Sequence, residues 1–380
     1  MRNYPLKSSS WVSPAAAGSF PVTASPLALI FQSVPSLLLP ACNAGVRFTA
    51  MLLLFACLEC LAAADAVRQQ TVELREGWSA VFLEVHPENP DPAKVFEALP
   101  VDIAATFSGP LSSAQFMTDP GANLFRLAGW SVWYAGSRPD AFLKTLHSIS
   151  GQQGYLIHAK QGFTWNVTGT VAPPAVRWQP DAFNFVGFSV DAKAAPTFGR
   201  FFGASTAHNH NRIYRLSNGS WRQVGNPAAE VMRSGEAFWI YCAGASTYQG
   251  PLQVETTSRN GVALGSTTDS VILRNASTFP VATTMEHVVT GPNPVPLSIV
   301  ILALGDTNAP VKTIATPKPD GAWQQPMPAI EGGQAFRIPF ELRTEAMKLS
   351  RQSSLLRFST DLGTEIWIPV FGFRSDITGN

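Results

Sequence analysis

Apolar positions change their spacing twice along the chain, and each change marks a boundary. From Met1 to Gly45 the residues are rich in Ser, Pro and Ala with no sustained period, and Pro35 and Pro40 interrupt the apolar run around Leu27–Leu39. Met51–Ala64, MLLLFACLECLAAA, is then almost continuously apolar, with Glu59 as its one charge. It is shorter than the ~20 residues a membrane-spanning helix needs. It fits the apolar region of a secretory signal peptide: Arg47 precedes it, and Ala62/Ala64 or Ala64/Ala66 supply a small-residue cleavage site. The expectation is an unstructured or over-extended N-terminus over 1–45 and a signal peptide over 46–66. The true start would lie near Val46 or Met51 and the mature chain would begin at about Asp65 or Val67. A long leader or a membrane anchor is the alternative. Sec-type export to the medium or the cell surface follows, with no stable transmembrane domain after cleavage.

Beyond residue 67 the pattern becomes that of short strands. Residues 75–99, REGWSAVFLEVHPENPDPAKVFEAL, and 181–205, DAFNFVGFSVDAKAAPTFGRFFGAS, both read as a strand, a Pro-containing loop and a short helix. Pro92 and Pro196 sit where a helix begins, and there a missing N–H costs nothing. The segments 123–136 and 212–225 each predict two strands about a turn, Ala128-Gly129 and Asn218-Gly219. Residues 151–171 and 233–254 each predict a closing strand pair. Phe142, Leu143, Leu146 and Ile149 have helical spacing. The parallel order predicts two related β-rich modules, 67–178 and 179–255, with Ile157 and Ile240 in equivalent buried strands.

Gly77-Trp78, the segment Asp91–Phe96 and the strand Gly154–Ile157 resemble the GWN-type repeat modules of large secreted bacterial surface proteins. Gly235–Cys242 with Tyr248–Leu252 resembles a second such module. Ser79 stands where Asn is common, and Asn184 lies where the second copy lacks the Gly-Trp pair. The resemblance covers roughly 71–255. It implies an exported surface or matrix protein and carries no catalytic residue.

Residues 256–269 read as a polar linker, and 270–380 as a β-sandwich of immunoglobulin-like type. Strands are expected at 270–275, 297–304, 335–343, 355–359 and 364–370. Phe336, Ile338, Phe340 and Leu342 should share one buried face, with Pro339 marking an edge or a bulge. Ile366, Ile368 and Val370 should be core, and Trp367 partly exposed. The fold class is thus mainly β: two related modules with short helices, then a sandwich.

Composition narrows function by class. Only 14% of residues are charged and the net charge is +1, so there is no global electrostatic footprint for nucleic acid. Cys42, Cys57 and Cys60 fall in the leader and Cys242 alone in the mature chain, which leaves no disulfide framework. No nucleophile elbow, zincin helix or phosphate loop is present. His208 and His210 are the closest approach to a metal pair, since alternate strand residues face one way. A third ligand would have to come from Asp191, Glu230 or His158. Trp133, Tyr134, Trp165 and Trp221 are the candidate ligand-binding aromatics, with Trp133 and Trp221 the expected exposed pair. Asn166, Asn218 and Asn275 begin glycosylation sequons. The leading expectation is a non-enzymatic scaffold without cofactors, with glycans or other surface proteins as partners. A carbohydrate-binding module is the alternative, and a hydrolase with an inter-module site is the remote one.

Overall fold

The computed structural model describes residues 66–109, 128–209, 212–265, 268–303, 312–315 and 321–374. Residues 46–65 of the expected signal peptide, residues 123–127 and His210 lie outside the described residues. The fold is mainly β, with antiparallel sheets and two short helices among those described.

The first body contains β1 (Val67–Leu74), β2 (Gly77–Leu83), β3 (Val85–Pro87), helix α1 (Pro92–Val95), β4 (Val101–Phe107), β5 (Trp130–Tyr134), β6 (Gln153–Ala159) and β7 (Phe163–Val171). They form a three-stranded sheet, β1-β7-β3, and a four-stranded sheet, β2-β6-β4-β5. Helix α1 starts as the sequence demands: the Asp91 carboxylate caps the Ala93 N–H and Pro92 occupies the first turn. It places Phe96 between the two sheets, 5.2 Å from the ring of Trp133 and 5.5 Å from that of Trp165.

The second body contains β8 (Ala182–Gly187), α2 (Phe198–Phe202), β9 (Ile213–Ser217), β10 (Ser220–Gln223) and β11 (Ala237–Cys242) in one sheet, β10-β9-β11-β8. The β9–β10 turn has positive φ at Asn218 (50°) and Gly219 (76°), as a type I′ hairpin requires. Strand for strand, β8, β9, β10 and β11 occupy the sheet positions that β2, β4, β5 and β6 hold in the first body. Ile157 and Ile240 are both fully buried on the central strands β6 and β11.

The two four-stranded sheets share a core. Phe82, Phe107, Val132 and Leu156 meet Phe183, Phe185, Trp221 and Trp239. The far face of the second sheet packs Ile213, Phe238 and Ile240 on Phe198, Phe201 and Phe202 of α2.

The third body pairs two five-stranded sheets. One is built from β12 (Leu252–Thr256), β14 (Asp269–Asn275), β16 (Leu297–Ala303), β17 (Lys312–Ala315) and β19 (Ala335–Leu342). The other is built from β13 (Val262–Leu264), β15 (Thr283–Val288), β18 (Trp323–Pro326), β20 (Arg351–Thr360) and β21 (Glu365–Phe373). Ile338 and Phe340 are fully buried in the shared core, with Phe336 and Leu342 packed at its margin, so the expected face is right. Ile366, Ile368 and Val370 are core and Trp367 is half-buried, also as expected.

Three expectations are corrected. Residues 256–269 are not a plain linker: they contain β13, which pairs parallel with β21, while β12 pairs with β14 and so belongs to the sandwich. Pro339 lies in a central strand, not at an edge, because β19 sits between β14 and β16. The ladder to β16 ends at Phe340, one residue short of Pro339, so the missing donor falls beyond that pairing. The helical spacing at 142–149 is not a helix; only a 3-10 turn, Ala141–Leu143, forms. The Thr145 and Leu146 N–H groups both donate to the Val132 carbonyl, which holds the segment extended along β5 and leaves Phe142 79% exposed. β5 pairs with β4, and the other strand expected of its hairpin, 123–127, lies outside the described residues.

Candidate functional site

The residues singled out from sequence are brought into cores, not onto a surface. Trp133, Tyr134, Trp165 and Trp221 are only 6, 3, 4 and 8% exposed. The expected exposed pair, Trp133 and Trp221, is therefore corrected. Trp133 faces Phe96 between the sheets of the first body, and Trp221 fills the core shared by the two bodies, 5.9 Å from Phe185. For Trp221 the polar neighbours Ser220 and Arg222 occupy the opposite face of β10, whereas Ser131 shares the face of Trp133, which Phe96 covers; neither pattern reports exposure.

His208 is likewise buried. Its Nδ1 meets Ser205 Oγ at 2.6 Å, and its ring lies 4.0 Å from that of Trp178, with Phe202 and Tyr248 around it. Burial pushes its pKa down to about 4, so it is a neutral core imidazole. Among the described residues no group of three or more His, Cys, Asp or Glu is placed to hold a metal ion. Glu230 is taken by Arg222, 2.7 Å away. His158 is taken by Asp102, with Nδ1 at 2.6 Å.

That last pair explains the Gly77-Trp78 start of β2. Gly77 has φ +86°, and Trp78 packs edge-on against His158 with ring centroids 5.0 Å apart. A register shift between Val101 and Ile103 turns Asp102 beneath the imidazole, where its other oxygen accepts from Arg138 at 3.0 Å. Gly77 and Trp78 thus close a sheet edge.

The most distinctive constellation lies where the three bodies meet. Glu84 follows the apolar run Ala80–Leu83 and is almost fully buried. Its carboxylate accepts from Arg68 and from Ser189 Oγ, the latter at 2.7 Å. Its backbone is clamped too: the Gln70 side chain accepts from the Glu84 N–H at 2.7 Å and donates to the Phe82 carbonyl at 2.9 Å. The Arg68 guanidinium lies over the Trp367 ring at 4.7 Å, which ties the first body to the third. Arg357 pairs with Glu286 and with Glu365, the latter at 3.6 Å. Burial raises the Glu365 pKa, Glu84 and Asp191 raise it further, and Arg357 and the Trp367 indole oppose them.

Backbone bonds complete the junction. Phe82 N–H donates to Gly235 O at 2.8 Å, Glu365 N–H to Ser189 O at 3.1 Å, and Asp191 N–H to Gly363 O at 2.9 Å. Two glycines permit the approach: a Cβ on Gly187 would stand 2.3 Å from Phe82 Cβ, and one on Gly363 only 1.7 Å from Ala194 O. Leu355, Trp367 and Phe371 of the sandwich pack on the core of the first body. Sequence reasoning missed this junction. Its one visible signal was the charge of Glu84 next to apolar residues, which flags a buried, partnered carboxylate.

No protein-family model matches the chain, and no curated protein matches it.

Proposed function

We propose that this chain is an exported, non-enzymatic scaffold of a cell surface or extracellular matrix, in which two copies of one β module and an immunoglobulin-like sandwich act as a single rigid spacer. The observation that carries the reading is the three-way junction. Ala62–Asn380 fall in one compact unit, and Glu84, Arg68, Ser189 and Trp367 tie its bodies at one point. A buried ion pair adds little net stability, but removing one partner strands the other charge, so separating Glu84 from its partners is costly. The copies are supported by the equal strand order of the two four-stranded sheets and by the short helix after the first strand of each. The similarity to GWN-type modules gives the setting. Partners are other surface proteins or glycans, met through outer surfaces and not through the buried Trp133, Tyr134, Trp165 or Trp221. The test is expression with a C-terminal tag, followed by N-terminal determination. Extracellular protein beginning at about Asp65 or Val67 is expected; intact residues 1–60 on cytoplasmic protein would overturn export.

A further inference from the structure

A groove of about 770 Å3, open to solvent, crosses the second body beside the loop that meets the sandwich at Gly363. One wall is the loop 192–195, the other is 230–234. Backbone bonds join the walls: Met232 N–H donates to Pro196 O at 2.9 Å and Phe198 N–H to Glu230 O at 3.0 Å. The first wall is braced from behind, where the Asp191 carboxylate accepts from the N–H groups of Lys193 at 2.6 Å and Ala194 at 3.1 Å. The Gly363 turn of the sandwich holds Asp191 in place. Walls fixed in this way need little ordering when a ligand arrives.

Charge in the groove is unevenly committed. Arg215 is buried and held by Glu236, with Nε–Oε1 at 3.0 Å. Arg222 holds Glu230 through two hydrogen bonds, which keeps that carboxylate ionised with its pKa lowered to about 2. Asp191 is spent on backbone donors. Lys193 and Arg233 are exposed on opposite walls, and neither has an ion pair among the described residues. A ligand entering the groove therefore meets two uncommitted cations with a gap between them.

We propose that this groove binds an acidic polysaccharide, whose carboxylate or sulfate groups, spaced along an extended chain, engage Lys193 and Arg233. The open form suits a chain passing through and not an enclosed small molecule. No aromatic side chain lines it among the described residues, so the bases of a single-stranded nucleic acid would find no stacking platform. The inference deepens the scaffold reading by naming a class of matrix partner, and its geometry stands apart from export.

The test measures retention of the full chain on immobilised polygalacturonate, dextran sulfate, neutral dextran and single-stranded DNA at low and high salt. Binding to at least one anionic polysaccharide above neutral dextran is expected, falling with salt as exposed charges are screened. The preferred polymer tells carboxylate from sulfate. The double variant Lys193→Ser/Arg233→Ser should bind about tenfold more weakly, the loss of two exposed ion pairs, with an unchanged melting temperature. Retention no better than on neutral dextran, an unaffected double variant, or tighter binding to DNA would each overturn the proposal. Because purified chain is used, such a failure is distinct from a failure of export.

Discussion

Alanine at Gly363 tests the junction with an internal control. Gly363 has φ +77°, and its missing Cβ faces Ala194 O of the second body at 1.7 Å. Gly219 has φ +76°, and nothing lies within 4 Å of its missing Cβ. Both alanine variants carry the same left-handed backbone cost, ~1–2 kcal/mol for an L-residue. Only Gly363→Ala must also push two bodies apart, which adds ~1–3 kcal/mol of overpacking. It also strains the Asp191 N–H bond to Gly363 O, worth ~0.5–1.5 kcal/mol if lost. Gly219→Ala should therefore destabilise by ~1–2 kcal/mol and Gly363→Ala by ~3–5 kcal/mol. Urea unfolding followed by tryptophan fluorescence reads both midpoints and slopes. Equal losses for the two variants would refute the close approach of the sandwich turn to the second body.

Other outcomes follow from the same packing. Phe340→Ala should cost ~3–5 kcal/mol through transfer and cavity terms, while Arg337→Ala, exposed and donating to Ser270 Oγ at 2.9 Å, should cost ~1 kcal/mol or less; thermal shifts of equal size would contradict the assigned faces. Trp133→Ala should cost ~3–5 kcal/mol and Phe142→Ala under ~0.5 kcal/mol, since the second ring is almost free in solvent; the reverse order in a denaturation series would contradict the burial of Trp133. His208 has a folded pKa of about 4, below its ordinary 6.5, so the unfolded chain binds the extra proton and stability is lost as pH falls from about 6.5 to about 4. The slope approaches ~1.4 kcal/mol per pH unit, and His208→Phe should flatten it; an unchanged slope would show that the imidazole is not buried neutral. For Glu365 the sign is opposite: its raised pKa makes the ionised form a burden as pH rises through the folded value, so Glu365→Gln should hold or gain stability at pH 7, and a large loss in melting temperature would contradict that.

What the sequence disclosed was mostly strand alternation. The faces of 336–342 and 366–370 were legible because side-chain direction in a strand has a period of 2 and the apolar set was unambiguous at Phe336, Ile338, Phe340 and Leu342. The Asn218-Gly219 hairpin was legible because few residue pairs tolerate two positive φ angles in succession. Exposure was not legible. Trp133 and Trp221 stand among polar neighbours, yet both faces of each four-stranded sheet are covered: one by the other four-stranded sheet, and the far one by β1-β7-β3 with Phe96 in the first body and by α2 in the second. The helical spacing of Phe142, Leu143, Leu146 and Ile149 misled because only Leu146 and Ile149 reach the core, and the backbone is held by bonds to Val132 that spacing cannot reveal. The junction and the cationic groove bring together residues far apart in the chain, such as Glu84 with Ser189 and Lys193 with Arg233, and no local pattern encodes such meetings.

Calorimetry of the purified chain tests most directly whether the two sheet bodies and the sandwich are one rigid unit. A shared aromatic core, a buried Glu84 with partners from two bodies, and a sandwich face packed on the first body require them to unfold together. One transition is expected, with the calorimetric enthalpy equal to the van't Hoff enthalpy and tryptophan fluorescence following the same curve. Two or more separable transitions, with the sandwich melting independently of the first two bodies, would contradict the single spacer.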